Sequence, residues 1–379
     1  MKKNLLKDFG LIFSEKPAVA AGVFTSNWVK AAPLLLTREH LHGNKCQAVL
    51  VNSGNANACT GKEGMADAEC LAEETARLLE IDPELVAVAS TGVIGERLPV
   101  KKMLTMLPAL CQEMGNTRIE DFARAIMTTD NGPKISTRSV NVEGTSITVA
   151  GIAKGAGMIN PSMATMLVFI LTDASVRRRS LQAWVKEAAD RTFNRITVDG
   201  DTSTNDMVLV LANGYARNRL LSAKGPGALR FREMLFDVMN DLARKIIQDG
   251  EGATKLIEVR VEQAKSVREA DTIARSVANS PLVKTSFFGE EVNWGRIIAA
   301  AGKTAFPISF EKIDLFINGI PLVEKGVALG AKNEKRVQKE VTKKEIIVTL
   351  TLHQGTRQAS VLTTDFSYDY IKINAGYRT

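Results

Sequence analysis

Apolar and polar positions follow two periods along the chain, and the period sets the element. Ala48 to Val51 is a short unbroken apolar run opening into the turn-rich Asn52 to Gly61, and Leu85 to Ser90 is a second run ending at Thr91-Gly92. Runs of this length bounded by turn residues predict buried strands with polar loops at their ends. Met65 to Leu79, Lys101 to Met114 and Ile119 to Met127 instead carry apolar residues at helical spacing with charges on the other face, predicting amphipathic helices. The β-branched stretch Val140 to Ile152 predicts a hairpin. A Gly-rich stretch, Lys154 to Pro161, and a very apolar strand, Met166 to Leu171, come next, so a loop feeds directly into a buried strand at Thr165. Further on, the pattern predicts a helix over Leu181 to Asn194, a strand pair around Asp199 to Asp206, and a long helix over Ala228 to Gln248. Strands at Leu256 to Val261, Ile313 to Ile317 and Ile346 to His353 follow, with a helix beginning near Trp294. The class expected is therefore α/β, with layered sheets and helices. The sequence holds no repeat, low-complexity tract or compositional linker.

Composition narrows the function classes. With 379 residues, 45% of them hydrophobic and 24% charged, disordered and fibrous classes are set aside. The net charge of +7 is spread along the chain, which suits acidic small molecules and does not require nucleic acid. The triplet Arg177, Arg178, Arg179 reads as a solvated helix start. Cys46, Cys59, Cys70 and Cys111 show no C-x-x-C spacing, so neither a disulfide framework nor a zinc site is expected, and a reducing, cytoplasmic compartment is the default. Lys2 and Lys3 ahead of Phe9 to Phe13 have the look of a secretion signal, but Asp8, Glu15 and Lys16 interrupt the apolar core. No run reaches the roughly 18 apolar residues of a membrane span.

The three histidines, His40, His42 and His353, fall in no metal or Ser-His-Asp motif, and the first two read as surface loop residues. A transferase or hydrolase without a histidine base needs another proton acceptor, and a free α-amine, with a pKa of about 7.7 to 8.0, is one. Such an amine arises where an internal Ser, Thr or Cys attacks its own preceding carbonyl, rearranges to an ester and hydrolyses. Thr165, in KGAGMINPSMATML, meets the requirements: Gly155 and Gly157 permit unusual backbone angles, Pro161 stiffens the entry, and the following strand anchors the hydroxyl. Its own amine would then activate it. A Gly-rich turn ahead of a strand is, by itself, usually only a turn.

Several separated words resemble the glutamate N-acetyltransferase (ornithine acetyltransferase) family. They are NSGNANACTG (Asn52 to Gly61), ASTGVIGERLP (Ala89 to Pro99), AIMTTD (Ala125 to Asp130), KGAGMINPSMATML (Lys154 to Leu167), VDGDTSTND (Val198 to Asp206), DGEGATK (Asp249 to Lys255), NWGR (Asn293 to Arg296) and NAGYRT (Asn374 to Thr379). They stand in the family's order and span nearly the whole chain. The resemblance implies an N-terminal-nucleophile-like sandwich of sheets and helices, ornithine acetyltransferase/aminopeptidase-like. It implies cleavage of the Ala164-Thr165 bond into an α chain of residues 1–164 and a β chain of 165–379, and assembly into α2β2. It implies ping-pong acetyl transfer from N-acetylornithine to glutamate, in arginine biosynthesis, through acetyl-Thr165. Thr91 and Gly92 would form the oxyanion hole, and Thr128, Lys154, Thr165, Glu251, Asn374 and Thr379 would contact substrate. No metal or organic cofactor is expected, and the sequence leaves open whether acetyl-CoA serves as a second donor. A lysine and a glutamate suit a substrate bearing both a carboxylate and an amine or second carboxylate.

Departures and rivals complete the reading. The family has a further short strand segment ahead of the point where this chain begins, and Ser162 stands where Asn is common. VDGDTSTND looks like a calcium loop, but Thr204 and Val210 occupy the positions that need Gly and Glu. Gly302-Lys303-Thr304 resembles the end of a phosphate loop, with Ile297 in place of its leading Gly. The rivals are an N-terminal-nucleophile amidase or aminopeptidase, which hands the acyl group to water, and a non-catalytic nucleotide-binding protein.

Overall fold

In a computed structural model the described residues are 7–160 and 166–376. They form two compact units: one holds the chain to Asn194 together with Asp201–Ile246, the other Arg195–Gly200 and the chain from Ile247.

The first unit contains β1 (Phe9–Phe24), α1 (Ala32–His40), β2 (Lys45–Asn55), α2 (Gly61–Leu79), β3 (Val86–Val93), α3 (Val100–Gln112) and α4 (Ile119–Ala125). It continues with β4 (Lys134–Val142), β5 (Thr145–Lys154), β6 (Leu167–Thr172), α5 (Arg178–Arg191), β7 (Met207–Ala212) and α6 (Pro226–Gln248). Its described strands make one sheet in the order β3-β2-β1-β7-β6-β5-β4, parallel at β2–β3 and β6–β7 and antiparallel elsewhere. Alternation sorts the side chains: Val49 and Val51 pack with Leu34, Phe169 and Leu209 on one face, while Ala48 and Leu50 pack with Leu71, Val88 and Leu107 on the other. Strands covered on both faces read as unbroken apolar runs, as LVFILT and MVLVLA do.

The hairpin predicted over Val140 to Ile152 is real but longer. Its two-residue turn, Glu143-Gly144, has positive φ at both positions (51° and 88°), the backbone that matches strand twist. The expected strand pair needs correction: none forms around Asp199 to Asp206, and the strand begins at Met207, just past that motif. Phe9 to Phe13 belong to β1, whose ladder with β2 shifts register between Phe13 and Ala18, where Ser14 to Pro17 intervene.

The second unit contains β8 (Leu256–Ala264), α7 (Val267–Ala278), α8 (Pro281–Phe288), α9 (Trp294–Gly302), β9 (Asp314–Ile317) and β10 (Ile320–Glu324). It ends with β11 (Val327–Ala328), α10 (Ala331–Val341), β12 (Glu345–Thr351), β13 (Arg357–Thr364) and α11 (Tyr368–Gly376). The sheet order is β11-β10-β9-β12-β8-β13, with β8 and β12 parallel. Val259, Val261, Leu315 and Val348 meet Ile273 and Val277 of α7, Ile297 of α9 and Val337 of α10 in one core. Ser266 and Ser280 cap α7 and α8 by accepting from Glu269 N and Val283 N. Each unit is thus a sheet with helices packed on it, the α/β class expected. The 164/165 boundary falls between β5 and β6, two paired strands of one sheet, rather than between the compact units.

Candidate active site

Lys154 is the last residue of β5 and pairs with Leu167, the first of β6, so the Gly-rich stretch leaves and re-enters the sheet at neighbouring positions. The Lys154 side chain is buried, 2% exposed, and its Nζ donates to Thr128 Oγ1 (2.9 Å) and Thr91 Oγ1 (3.2 Å). Three of the residues expected from the resemblance are thereby joined by one ammonium group. Because an ammonium only donates, both hydroxyl oxygens accept, and the Thr91 proton is left to be given to another oxygen.

Gly92 follows at φ +134°, and a Cβ there would lie 2.3 Å from Gly54 C and 2.4 Å from Asn55 N. The close crossing of the ends of β2 and β3 therefore demands glycine, and the ladder shifts register at the same place. Ser90 Oγ donates to Asn52 Oδ1 (2.6 Å), and Asn205 Nδ2 donates to Ala56 O (2.7 Å) and Ser90 O (2.8 Å), tying the segment before β7 to these strand ends. Ser203 to Asp206, the end of the stretch Val198 to Asp206 that looks like a calcium loop, serve here as a polar clamp.

Two carboxylates in this region carry no expectation from the sequence. Asp130 Oδ1 accepts from Lys134 Nζ (2.6 Å) and Gly155 N (2.7 Å), and Oδ2 accepts from Thr128 N (3.0 Å). Burial pushes its pKa up, but the Lys154 and Lys134 charges and the Gly155 N–H outweigh that and hold it at about 2. Asp206, fully buried, accepts from Met166 N (3.0 Å). Burial raises its carboxyl well above the ordinary range against the pull of that N–H and of Lys154. Asp130 ends AIMTTD and Asp206 ends VDGDTSTND, so the signal that could have found them is an Asp closing a word that follows threonines or small polar residues.

In the second unit, Glu251 is 4% exposed and its Oε2 accepts from Asn374 Nδ2 (2.8 Å), so these two expected residues also meet. Ala164, Thr165 and Thr379 lie outside the described residues.

The remaining candidates separate from these groups. His40 ends α1 and bonds Val86 O (2.8 Å), a placement in a helix rather than a loop, and His353 bonds Asp314. Gly302 is the last residue of α9, so Gly302-Lys303-Thr304 sits at the carbonyl end of a helix, whereas a phosphate loop needs the N–H end. A cavity of about 520 Å³ bounded by Phe9, Met103, Met106, Leu110 and Phe122 has Asn52 to Asn55 in its wall but none of Thr91, Thr128 or Lys154. No helix of the described residues is long and apolar enough to cross a membrane.

The ArgJ family model matches residues 1–379. The arginine biosynthesis bifunctional protein ArgJ of Syntrophotalea carbinolica is 47% identical over 379 residues, covering 100% of this chain and 96% of that protein. The protein of the same name from Staphylococcus epidermidis is 48% identical over 381 residues, covering 100% and 94%. Among solved structures, the Bacillus halodurans arginine biosynthesis bifunctional protein argJ aligns with TM-score 0.53 and 40% identity, over 55% of this chain and 98% of that one.

Proposed function

The chain belongs to the ArgJ family, and from that premise we propose that it moves an acetyl group from N-acetylornithine to glutamate in arginine biosynthesis, with Thr165 as the acyl-carrying nucleophile. The observation that carries the reading is the buried Lys154 ammonium joining Thr91 and Thr128 beside the required Gly92. Thr165 Oγ first adds to the Ala164 carbonyl, the acyl group shifts from N to O, and water hydrolyses the ester, releasing a free α-amine on Thr165. That amine takes the hydroxyl proton as Oγ attacks the acetyl carbonyl of the donor. The Thr91 hydroxyl and the Gly92 N–H receive the developing oxyanion, Lys154 fixes the Thr91 hydroxyl as acceptor so that its proton points away, and the proton returns to ornithine as it leaves. Glutamate then attacks acetyl-Thr165 by the reverse sequence, giving N-acetylglutamate. Lys154, Thr128, Glu251, Asn374 and Thr379 hold the substrate's charged ends.

Cleavage draws support from the solved relative: covered to 98% by 55% of this chain, it is a chain little more than half as long. The α2β2 assembly, the cytoplasmic setting and independence from metal and organic cofactors belong to the same reading. The word bifunctional in the relatives' names supports a second activity, for which acetyl-CoA is the donor proposed. The test is an intact-mass spectrum with N-terminal sequencing, beside the Thr165→Ala variant. Two fragments, one beginning at Thr165, and a full-length inactive variant are expected. A single 41.2 kDa wild-type species, or cleavage persisting in the variant, would refute the assignment.

A further inference from the structure

Glu251 stands in a turn with almost no freedom of its own. Asp365, fully buried just past the end of β13, accepts the N–H groups of Thr254 (2.9 Å) and Lys255 (3.0 Å) on Oδ1 and the Thr254 hydroxyl on Oδ2. The Thr364 hydroxyl donates to the same carboxylate (3.0 Å). Ser367 Oγ donates to Gly252 O (2.6 Å). Gly252 itself has φ +66°, and a Cβ there would lie 2.4 Å from Tyr370 N, so the turn is pressed against the start of α11. Of the Glu251 oxygens only Oε2 is engaged, by Asn374, among the described residues. Oε1 is left to accept from a ligand, and an acceptor-only group suits an ammonium.

Next to Asp365 lies a cation the reaction does not use. Lys284 is 1% exposed; its Nζ donates to Thr363 Oγ1 (2.8 Å) and to the Thr364 carbonyl, 4.6 Å from the centre of the Phe366 ring. Burial pushes its pKa down to about 7 against the charges of Asp365 and Asp199. Burying ionisable groups is costly unless their hydrogen bonds are met, and here the Asp365 carboxylate and the Lys284 amine each meet theirs on the turn and the end of β13. What this buried cluster supplies is a fixed geometry.

We propose that Asp365 is a positioning residue for substrate: by holding the backbone at Thr254 and Lys255 it sets the turn that presents the Glu251 carboxylate to the ammonium group of an amino-acid substrate, with the Lys284 amine as its buried counterpart. This rests on Glu251 being a substrate contact. Displacing the turn by a fraction of an ångström lengthens a charge-assisted hydrogen bond and weakens binding without touching the acyl-transfer centre.

The experiment is a kinetic cycle on purified enzyme with N-acetylornithine as donor, comparing Asp365→Asn, Glu251→Gln and the double variant. Asp365→Asn should raise KM about tenfold while kcat changes less than about threefold, as expected for loss of one charge-assisted contact. The double variant should be no worse than Glu251→Gln alone, because a residue acting through Glu251 has nothing left to act on. Multiplying effects, or an Asp365→Asn KM equal to wild type while Glu251→Gln raises it, overturns the positioning role and leaves the Glu251 contact standing. An unchanged KM in Glu251→Gln removes the contact and the proposal with it. If Asp365→Asn does not fold, Thr254→Val, which loses a single hydroxyl contact, takes its place in the same cycle and is decided by the same criterion.

Discussion

Replacing Asp130 by Asn changes one oxygen for an amide and removes the negative charge between two buried lysines. Lys134 Nζ lies 2.6 Å from Oδ1, the Lys134 and Asp130 side chains are 3% and 0% exposed, and Lys154 adds a second positive charge. Two routes give the size of the loss. The fall of the carboxyl from 3.8 to about 2, at 1.36 kcal/mol for each tenfold, corresponds to roughly 2 kcal/mol. Breaking a buried pair by removing one partner costs about 3–5 kcal/mol. The larger figure is the better guide for the substitution, because the first compares two protonation states of an intact aspartate, whereas the variant withdraws the carboxylate charge from both ammonium groups at every pH. For a unit of this size, about 2–4 °C per kcal/mol gives a drop in melting temperature of roughly 6–20 °C near neutral pH. The sign with pH follows from the direction of the shift. A carboxyl whose folded value is depressed contributes stability that is present above its unfolded value, near 3.8, and is lost as the pH falls toward about 2. The gap between wild type and Asp130→Asn should therefore narrow across that window. Because Asp130 also holds Thr128 N and Gly155 N, which adjoin the proposed substrate contacts Thr128 and Lys154, kcat/KM should fall about 10²-fold in molecules that remain folded. The assay is thermal melting at matched protein concentration from neutral pH down to about 2, beside steady-state kinetics. A variant melting within about 2 °C of wild type with full activity would refute the reasoning.

Gly92→Ala should abolish acetyl transfer or prevent folding, since its Cβ would lie 2.3 Å from Gly54 C and must push the ends of β2 and β3 apart; turnover within about threefold of wild type would show the crossing to be slack. Cys46 is buried with its thiol pushed up to about 12, burial outweighing its backbone hydrogen bonds, whereas Cys59 is exposed. Mass mapping after brief alkylation at neutral pH should find the label on Cys59 and not on Cys46, and label on Cys46 would contradict the packing around it.

Legibility in the sequence followed burial symmetry and distance along the chain. β6 was readable because both its faces are covered and it runs unbroken as LVFILT. β1 was not, because Ser14, Glu15 and Lys16 sit where its ladder with β2 shifts register, and a strand with a polar interruption is indistinguishable from a failed signal sequence. A strand pair was expected around Asp199 to Asp206, yet the Thr204 hydroxyl bonds the Asn205 side chain and the Thr204 carbonyl accepts from Ala31 N, local and long-range bonds that replace a ladder. The Lys154, Thr91 and Thr128 group was reached through resemblance, since their separations of 63 and 26 residues leave no periodic trace. Asp365 joins Thr254 across 111 residues and was invisible for the same reason.

The pairing of β5 with β6 bears on how the molecule could be taken apart. The backbone ladder from Val149–Thr172 to Lys154–Leu167 spans the place where the chain is proposed to be cut, and β6 is paired on its other edge to β7. A cut there leaves two polypeptides interleaved in one sheet, with two internal strand seams, β5–β6 and β1–β7, serving as the subunit boundary. The pieces could separate only by dismantling the sheet, and once apart each would bear two uncovered strand edges. Maturation would then be a one-way event, after which denatured halves must find each other by collision instead of along a common chain.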